Sequence, residues 1–139
     1  MKKIVLASHG KLAEGFLNSL KIIIGDNDNI YTLCAYVDED KTLSEQIEEL
    51  FDKFQSDDEV IIITDIFGGS VNNEFLRQLP NHKFYLISGM NLSLIIDLIV
   101  SNSSNDLETN IKSAVENCKS GIRYCNPLVE QVNLKNEDF

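Results

Sequence analysis

The sequence predicts an α/β fold in which a mainly parallel, four-stranded sheet is covered by helices on both faces. Two observations lead to this prediction. Short strand-forming runs alternate along the chain with segments whose apolar residues recur every three or four positions. The connections between these segments are short, and strands that alternate with helices are joined by right-handed crossovers into a parallel sheet.

Four segments are the predicted strands. Residues 4–7, 60–63 and 84–87 are nearly continuous in apolar side chains, which is typical of parallel strands buried on both faces. Residues 30–37 are more mixed but rich in the Tyr, Thr and Val types that favour a pleated sheet. Residues 122–125 could form one further strand, so that the predicted domain covers residues 1–125.

Helical periodicity marks the segments between the strands. Residues 12–24 carry apolar residues at helical spacing, and Gly25 follows them as a C-cap. Residues 43–54 repeat this pattern after a capping box formed by Thr42 and Glu45. Each of these two segments therefore predicts an amphipathic helix that covers the sheet.

The second half of the chain predicts three more helices. A short helix begins at Ser70 and ends before Pro80, whose ring cannot continue it. Residues 92–100 form a largely buried helix, and a capping-box pattern at Asn105 opens the last helix, which ends at Gly121. After residue 125, the polar composition of residues 126–139 predicts a loosely held tail.

Composition and charge restrict the function. The chain has 139 residues, of which 43% are hydrophobic and 24% charged, as in one ordinary globular domain. Its formal charge of −10 would repel nucleic-acid phosphates and anionic membranes, so neither is an expected partner. The apolar run near the N-terminus is too short for a secretory signal, and three cysteines without metal-ligand spacing predict reduced thiols. We therefore expect a cytoplasmic protein without a metal or another cofactor.

Two polar clusters follow predicted strands, where ligands bind in open parallel sheets. Ser8, His9 and Gly10 follow the first strand, and residues 64–70 follow the third. These positions predict that the imidazole of His9 and the carboxylate of Asp65 lie close together, although 56 positions separate them in the sequence.

The residue types in these clusters suit phosphoryl transfer. A neutral imidazole accepts a phosphoryl group only if one nitrogen is free to attack, and a carboxylate on the opposite N–H, here that of Asp65, enforces that tautomer. Gly68 and Gly69 would let backbone N–H groups approach phosphoryl oxygens, and Ser70 adds a hydroxyl at a helix start. Together these three residues form a candidate anion-binding loop that faces His9.

Structural interpretations of the same residues stay open at this stage. His9 could be a hydrogen-bonded structural histidine and Asp65 a loop cap. The two glycines could mark only a turn, and Ser70 could be a plain N-cap.

Three motifs in order resemble one known family, the mannose/fructose/sorbose-family IIA component of the bacterial phosphotransferase system. The resemblance runs from Lys3 to about Arg123. The motifs are Ser8-His9-Gly10-x-Leu12-Ala13-Glu14-Gly15, ending in Gly25; Asp65-Ile66-Phe67-Gly68-Gly69-Ser70 with Asn73; and Gly89-Met90-Asn91-Leu92.

The resemblance implies a specific role. His9 would take a phosphoryl group from the phosphocarrier protein HPr and pass it to a IIB component, which phosphorylates sugar entering through the membrane subunits IIC and IID. Asp65 matches the family's histidine-orienting aspartate, and Gly69 and Ser70 fall in its phosphate-contacting loop. The resemblance also implies a homodimer in which an antiparallel C-terminal strand, here residues 122–125, is exchanged.

The sequence departs from the family at two positions, because Val71 and Ser93 replace usual prolines and leave both loops less pre-organised. Other functions also stay open. Ser70, His9 and Asp65 supply the residue types of a hydrolase triad, although the final glycine of the nucleophile elbow is missing.

Two further alternatives have weaker support in the sequence. A nucleotide-binding or flavin-binding module lacks its usual glycine motifs, and a receiver-like domain lacks its acidic metal ligands. A third alternative is a regulatory relative that binds a partner without relaying phosphate.

Overall fold

The computed structural model describes residues 1–101 and 104–129, and these form one parallel sheet with helices on both faces. The predicted fold class is therefore confirmed. The strands are β1 (Lys2–His9), β2 (Ile30–Ala35), β3 (Glu59–Thr64) and β4 (Tyr85–Ser88). The helices are α1 (Leu12–Ile24), α2 (Leu43–Phe51), α3 (Ser70–Gln78), α4 (Leu92–Val100) and α5 (Leu107–Lys119).

The strand order in the described sheet is β2-β1-β3-β4, and all neighbours pair in parallel. The chain moves from β1 to one side to form β2 and returns past β1 to form β3. The strand order therefore reverses between β1 and β3, the position where open α/β sheets bind ligands. The register places Ala7 beside Thr64, so His9 and Asp65 leave neighbouring strands at the same edge.

Two apolar cores hold the helices against the sheet. On one face, side chains of α1, α4 and α5 pack on alternate residues of the central strands, including Ile4, Leu6 and Ile61. On the other face, α2 and α3 pack on the residues between them, including Val5 and Ile62. Strands that are buried on both faces have apolar side chains at consecutive positions, which explains the runs seen in the sequence.

Several predicted helix ends are confirmed. The hydroxyl of Thr42 accepts a hydrogen bond from the backbone N–H of Glu45 at the start of α2. Gly25 ends α1 with a φ of 83°, a conformation that glycine adopts without a steric cost. The prediction for α5 was wrong by one residue, because the N-cap is Asp106, which accepts from the N–H of Thr109.

Two elements are shorter than predicted. β2 ends at Ala35 rather than at residue 37, because the backbone of Tyr36 adopts a φ of 67° and turns away from the sheet. α2 ends at Phe51, and the chain continues as a turn over residues 52–53 and a bend at Phe54.

The segment that follows α5 is not part of the sheet in the single chain. Residues 122–125 are irregular, and Ile122 and Tyr124 are exposed. The exchanged strand therefore stays a prediction. Residues 130–139 of the predicted tail lie outside the described residues.

Candidate functional site

The predicted site residues meet where the strand order reverses. His9 is the last residue of β1, Asp65 follows β3 directly, and Ser70 begins α3. Because the carboxyl ends of β1 and β3 are adjacent, the loop that follows β3 brings its carboxylate and its hydroxyl to opposite sides of one imidazole ring. The sequence prediction that these three residues lie together agrees with this geometry.

One carboxylate oxygen of Asp65 fixes His9 at two points. Oδ2 of Asp65 lies 2.8 Å from the backbone nitrogen of His9 and 2.8 Å from its Nδ1. The other oxygen, Oδ1, accepts from the backbone N–H of Ile66 at 3.0 Å. An ionised carboxylate can only accept a hydrogen bond. In the neutral imidazole, this contact therefore favours the tautomer in which Nδ1 carries the hydrogen and Nε2 keeps a lone pair.

The same contacts change the acidity of Asp65. Burial acts most strongly and on its own would raise its pKa, because it penalises the charged form. Four contributions lower the pKa: hydrogen bonds from the backbone and from the side chain of His9, the attraction to the His9 ring, and a hydrogen bond from the N–H of Ile66. Together they outweigh the effect of burial, so the pKa of Asp65 lies below its ordinary value. Asp65 is therefore ionised at neutral pH.

The free nitrogen of His9 faces two hydroxyl groups. Nε2 lies 3.2 Å from Oγ of Ser70, and that oxygen lies 2.7 Å from the hydroxyl of Tyr36. The ring centroids of His9 and Tyr36 are 5.7 Å apart. The His9 side chain is 43% exposed, so a second protein can reach it.

The glycine loop brings backbone close to the imidazole. A Cβ on Gly69 would lie 3.2 Å from Cε1 of His9 and 2.8 Å from Cγ2 of Ile66, so only glycine fits without movement. Gly68 has a φ of +81°, which side chains rarely adopt. The amide of Asn73 donates to the carbonyl of Gly68 at 3.2 Å and holds the loop against α3.

Ser70 is not the N-cap of α3, so that interpretation of the sequence was wrong. The N-cap is Gly69, which has no side chain to offer, and Ser70 is the first helical residue. Its hydroxyl instead points to His9 and Tyr36, as the contacts above show. The hydroxyl of Ser70 therefore does not cap α3 and is available to contact a group bound at His9.

Buried hydrogen bonds support the site from below. Ser8, fully buried, accepts from the N–H of Ala13 at 2.8 Å and so fixes the start of α1. Thr64 donates to the side chain of Asn72 at 2.7 Å, and both residues are buried. This second pair ties the end of β3 to the first turn of α3, which sets the positions of Asp65 and Ser70 relative to each other.

The sequence analysis missed Tyr36. The pattern over residues 30–37 places Tyr36 near the end of a predicted strand, where its side chain would alternate with its neighbours. Only the left-handed backbone at this residue, which no local pattern predicted, turns the ring towards His9. An aromatic residue at the carboxyl end of a strand next to the switch point was the one available signal.

The described residues contain neither a candidate metal site nor a candidate membrane span. Among residues 1–101 and 104–129, no group of three or more His, Cys, Asp or Glu side chains could hold a metal ion. In the same residues, no helix is long and apolar enough to cross a membrane.

Geometry alone leaves two chemistries for the central residues. A carboxylate on Nδ1 and a hydroxyl near Nε2 suit a phosphoryl-accepting histidine, but they also describe a hydrolase triad. Comparison with known families favours phosphoryl transfer. The model of the PTS system fructose IIA component, EIIA-man, matches residues 3–116. The chain belongs to this family. PTS IIA components of the mannose and fructose type are phosphotransferases that act in sugar uptake.

Individual relatives agree with this family. The chain is 22% identical over 145 residues to the PTS system fructose-specific EIIA component of Bacillus subtilis, across 99% of this chain and 96% of that protein. It is 24% identical over 123 residues to the PTS system mannose-specific EIIAB component of Escherichia coli. That alignment covers 86% of this chain but only 38% of the longer protein.

Solved structures have the same fold. A proposed phosphoenolpyruvate-dependent sugar phosphotransferase system permease from Klebsiella pneumoniae is 48% identical, with a TM-score of 0.85 over 92% of this chain and 93% of that one. The mannose/sorbose-specific IIA subunit from Enterococcus faecalis is 25% identical, with a TM-score of 0.71 over 89% and 95%.

Proposed function

We propose that His9 of this IIA component accepts a phosphoryl group from phosphorylated HPr and passes it to a IIB component. The observation that carries the proposal is the 2.8 Å contact between Nδ1 of His9 and Oδ2 of Asp65. This contact leaves Nε2 as the nucleophile on a partly exposed ring. The IIB component would then phosphorylate sugar that enters through IIC and IID subunits, which would place this chain in the cytoplasm.

The transfer step follows from that geometry. The lone pair of Nε2 attacks the phosphorus of the donor's phosphohistidine, and the bond from phosphorus to the donor nitrogen breaks. The donor nitrogen keeps the electron pair of that bond. The ring of His9 gains positive charge, which the carboxylate of Asp65 stabilises across the bond to Nδ1. Transfer to the IIB component reverses these roles at the same nitrogen.

The glycine loop and the start of α3 supply donors for the phosphoryl oxygens. The first backbone N–H groups of a helix have no acceptor within the helix and carry partial positive charge. At α3 these groups belong to residues next to Ser70, whose hydroxyl is already 3.2 Å from Nε2. Gly69 allows this backbone to lie against the ring because no Cβ intervenes.

Apolar side chains flank the site and support contact with a protein. Ile66 and Phe67, in the loop between Asp65 and Gly68, are 59% and 79% exposed. Val37, next to Tyr36, is 43% exposed. Large exposed apolar side chains beside a reactive group are typical of a docking surface, and a relay needs one because donor and acceptor must both reach His9.

The first experiment is intact-mass analysis after incubation with phosphoenolpyruvate, enzyme I and HPr. The wild type should gain one phosphoryl group, and His9→Ala should gain none. Release of the group in mild acid would identify phosphohistidine. No added group on the wild type, while HPr is shown to be phosphorylated, would contradict the relay and favour a regulatory relative.

The triad contacts make a serine hydrolase the second candidate, and the same samples test it. A fluorophosphonate probe, which labels activated serines, should leave Ser70 unmodified. Ser70→Ala should still accept a phosphoryl group on His9, although more slowly. Labelling of Ser70 together with loss of labelling in His9→Ala would favour the hydrolase.

A further inference from the structure

We propose that Tyr36 is a positioning residue for the phosphoryl relay: its hydroxyl holds the hydroxyl of Ser70 and strengthens the bond that Ser70 donates to the phosphoryl group. The inference rests on the proposed function of His9. It assigns a role to a side chain that stands outside the three motifs of the family resemblance.

The backbone of Tyr36 has an unusual conformation that the surrounding structure must enforce. Its φ of 67° is the single positive value at a non-glycine residue among those described. Bulky side chains rarely adopt this conformation, which occurs where the surrounding structure enforces it, often at functional sites. Here it ends β2 and places the ring 5.7 Å from that of His9.

The hydrogen bonds have a defined direction in the resting site. Asp65 keeps the hydrogen on Nδ1, so Nε2 can only accept, and the nearby donor is the hydroxyl of Ser70 at 3.2 Å. Because the hydroxyl of Ser70 donates its one hydrogen bond to Nε2, its oxygen can only accept a hydrogen bond from the hydroxyl of Tyr36, at 2.7 Å. The chain of donation therefore runs from Tyr36 through Ser70 to His9.

This chain must rearrange when His9 is phosphorylated. The new bond to phosphorus uses the lone pair of Nε2, so Ser70 loses its acceptor and its hydroxyl hydrogen turns to a phosphoryl oxygen. Tyr36 can stay where it is, because the oxygen of Ser70 still accepts from it. A hydrogen bond to a charged oxygen is stronger than one to a neutral nitrogen, and donation from Tyr36 polarises Ser70 further.

Tyr36 therefore stabilises phosphorylated His9 more than free His9. In Tyr36→Phe, only the hydroxyl is removed. Because its hydrogen bond to Ser70 is present in both states, only the strengthening of that bond on phosphorylation is lost, and the phosphoryl equilibrium with HPr should shift away from this chain by about twofold. Hydrolysis of the phosphohistidine should accelerate by a similar factor. Tyr31→Phe is the matched control, because it removes a hydroxyl from β2, the strand that Tyr36 follows, at a position away from His9, and it should leave both values unchanged.

The test measures the phosphorylated fraction at equilibrium by phosphorus NMR in four proteins: wild type, Tyr36→Phe, Ser70→Ala and the double variant. Because Tyr36 acts through Ser70, its substitution should have almost no effect in the Ser70→Ala background. In the unphosphorylated protein, nitrogen NMR should show a changed Nε2 signal of His9 in Tyr36→Phe, which a general loss of stability would not produce.

Three results would overturn the proposal. Tyr36→Phe could match the wild type in equilibrium and hydrolysis, or its effect could persist in full without the Ser70 hydroxyl. Either result would leave the role of His9 intact. Failure of the wild type to become phosphorylated on His9 would overturn the proposed function, and the role of Tyr36 with it.

Discussion

Asp65 links the chemistry of the site to the stability of the fold, because one of its oxygens binds both the backbone and the ring of His9. At the level of single residues, this contact could be predicted from the sequence. Parallel strands end at a common edge, and a polar residue directly after each of two apolar runs must lie there. Tyr36 could not be predicted, because its position depends on one backbone angle that tertiary contacts determine.

The first prediction concerns transfer in Asp65→Asn. An amide is neutral and can present its NH₂ group to Nδ1, which favours the wrong tautomer of His9 and no longer stabilises a charged ring. Phosphorylation by HPr should slow by about 10- to 100-fold, since a hydrogen bond to a charged group is lost. Rapid-quench measurement of phosphorylated protein checks this. An unchanged rate would contradict the orienting role of Asp65.

The second prediction concerns the pH dependence of stability. The pKa of Asp65 is lower in the folded chain than its ordinary value. Its ionised form therefore stabilises the fold above the unfolded pKa of about 3.9, and this contribution is lost as the pH falls through the folded pKa. Urea unfolding at neutral pH and at about pH 3 should show a smaller acid loss in Asp65→Asn than in the wild type. Equal losses would show that other carboxylates dominate.

The third prediction concerns Gly69→Ala. The added Cβ would lie 2.8 Å from a methyl carbon of Ile66 and 3.2 Å from Cε1 of His9, so the loop or the ring must move. Phosphorylation should fall while the fold is retained. Gly15→Ala in α1 is the control, because its Cβ would meet nothing within 4 Å. That variant should keep full activity and gain up to about 1 kcal/mol of stability from helix propensity.

At the level of elements, helices and strands were predictable in number and order, but their ends were not always so. Apolar periodicity reports which residues face the core, and this pattern continues past Phe51 although α2 stops there. At α5, Asn105 and Asp106 are both good N-caps, and local sequence could not choose between them. Tertiary packing decides such ends, whereas periodicity decides that the element exists.

The fourth prediction concerns the junction of β3 and α3. Thr64→Val keeps the shape of the side chain but leaves the buried amide oxygen of Asn72 without the hydroxyl that donates to it at 2.7 Å. The free energy of unfolding should fall by about 1–3 kcal/mol. Thr32→Val in β2 makes the same change at a less buried position and should cost less. If the two variants unfold alike, the buried pair does not hold α3 in place.

At the level of the whole molecule, the described sheet leaves its outer edge at β4 without a further strand. An exposed sheet edge tends to pair with another strand. Residues 122–125 begin close to this edge, because Ile122 lines the same cavity as Ile87 and Ser88 of β4. A segment that starts at the carboxyl end of β4 and runs back along the strand would pair with it antiparallel.

Residues 122–125 are not paired with β4 of their own chain, so the same edge of a second copy can take them. The last prediction, which the family resemblance also implies, is a homodimer in which residues 122–125 of one chain complete the sheet of the other. Ile122 is 94% exposed and Tyr124 77% exposed in the single chain, and burial of these two side chains on a partner would favour association. Light scattering of the full chain should give the mass of a dimer. A chain that ends at Gly121 should be monomeric yet folded, because both apolar cores lie before this residue. A full-length monomer would contradict strand exchange, and a dimer that survives the truncation would place the interface elsewhere.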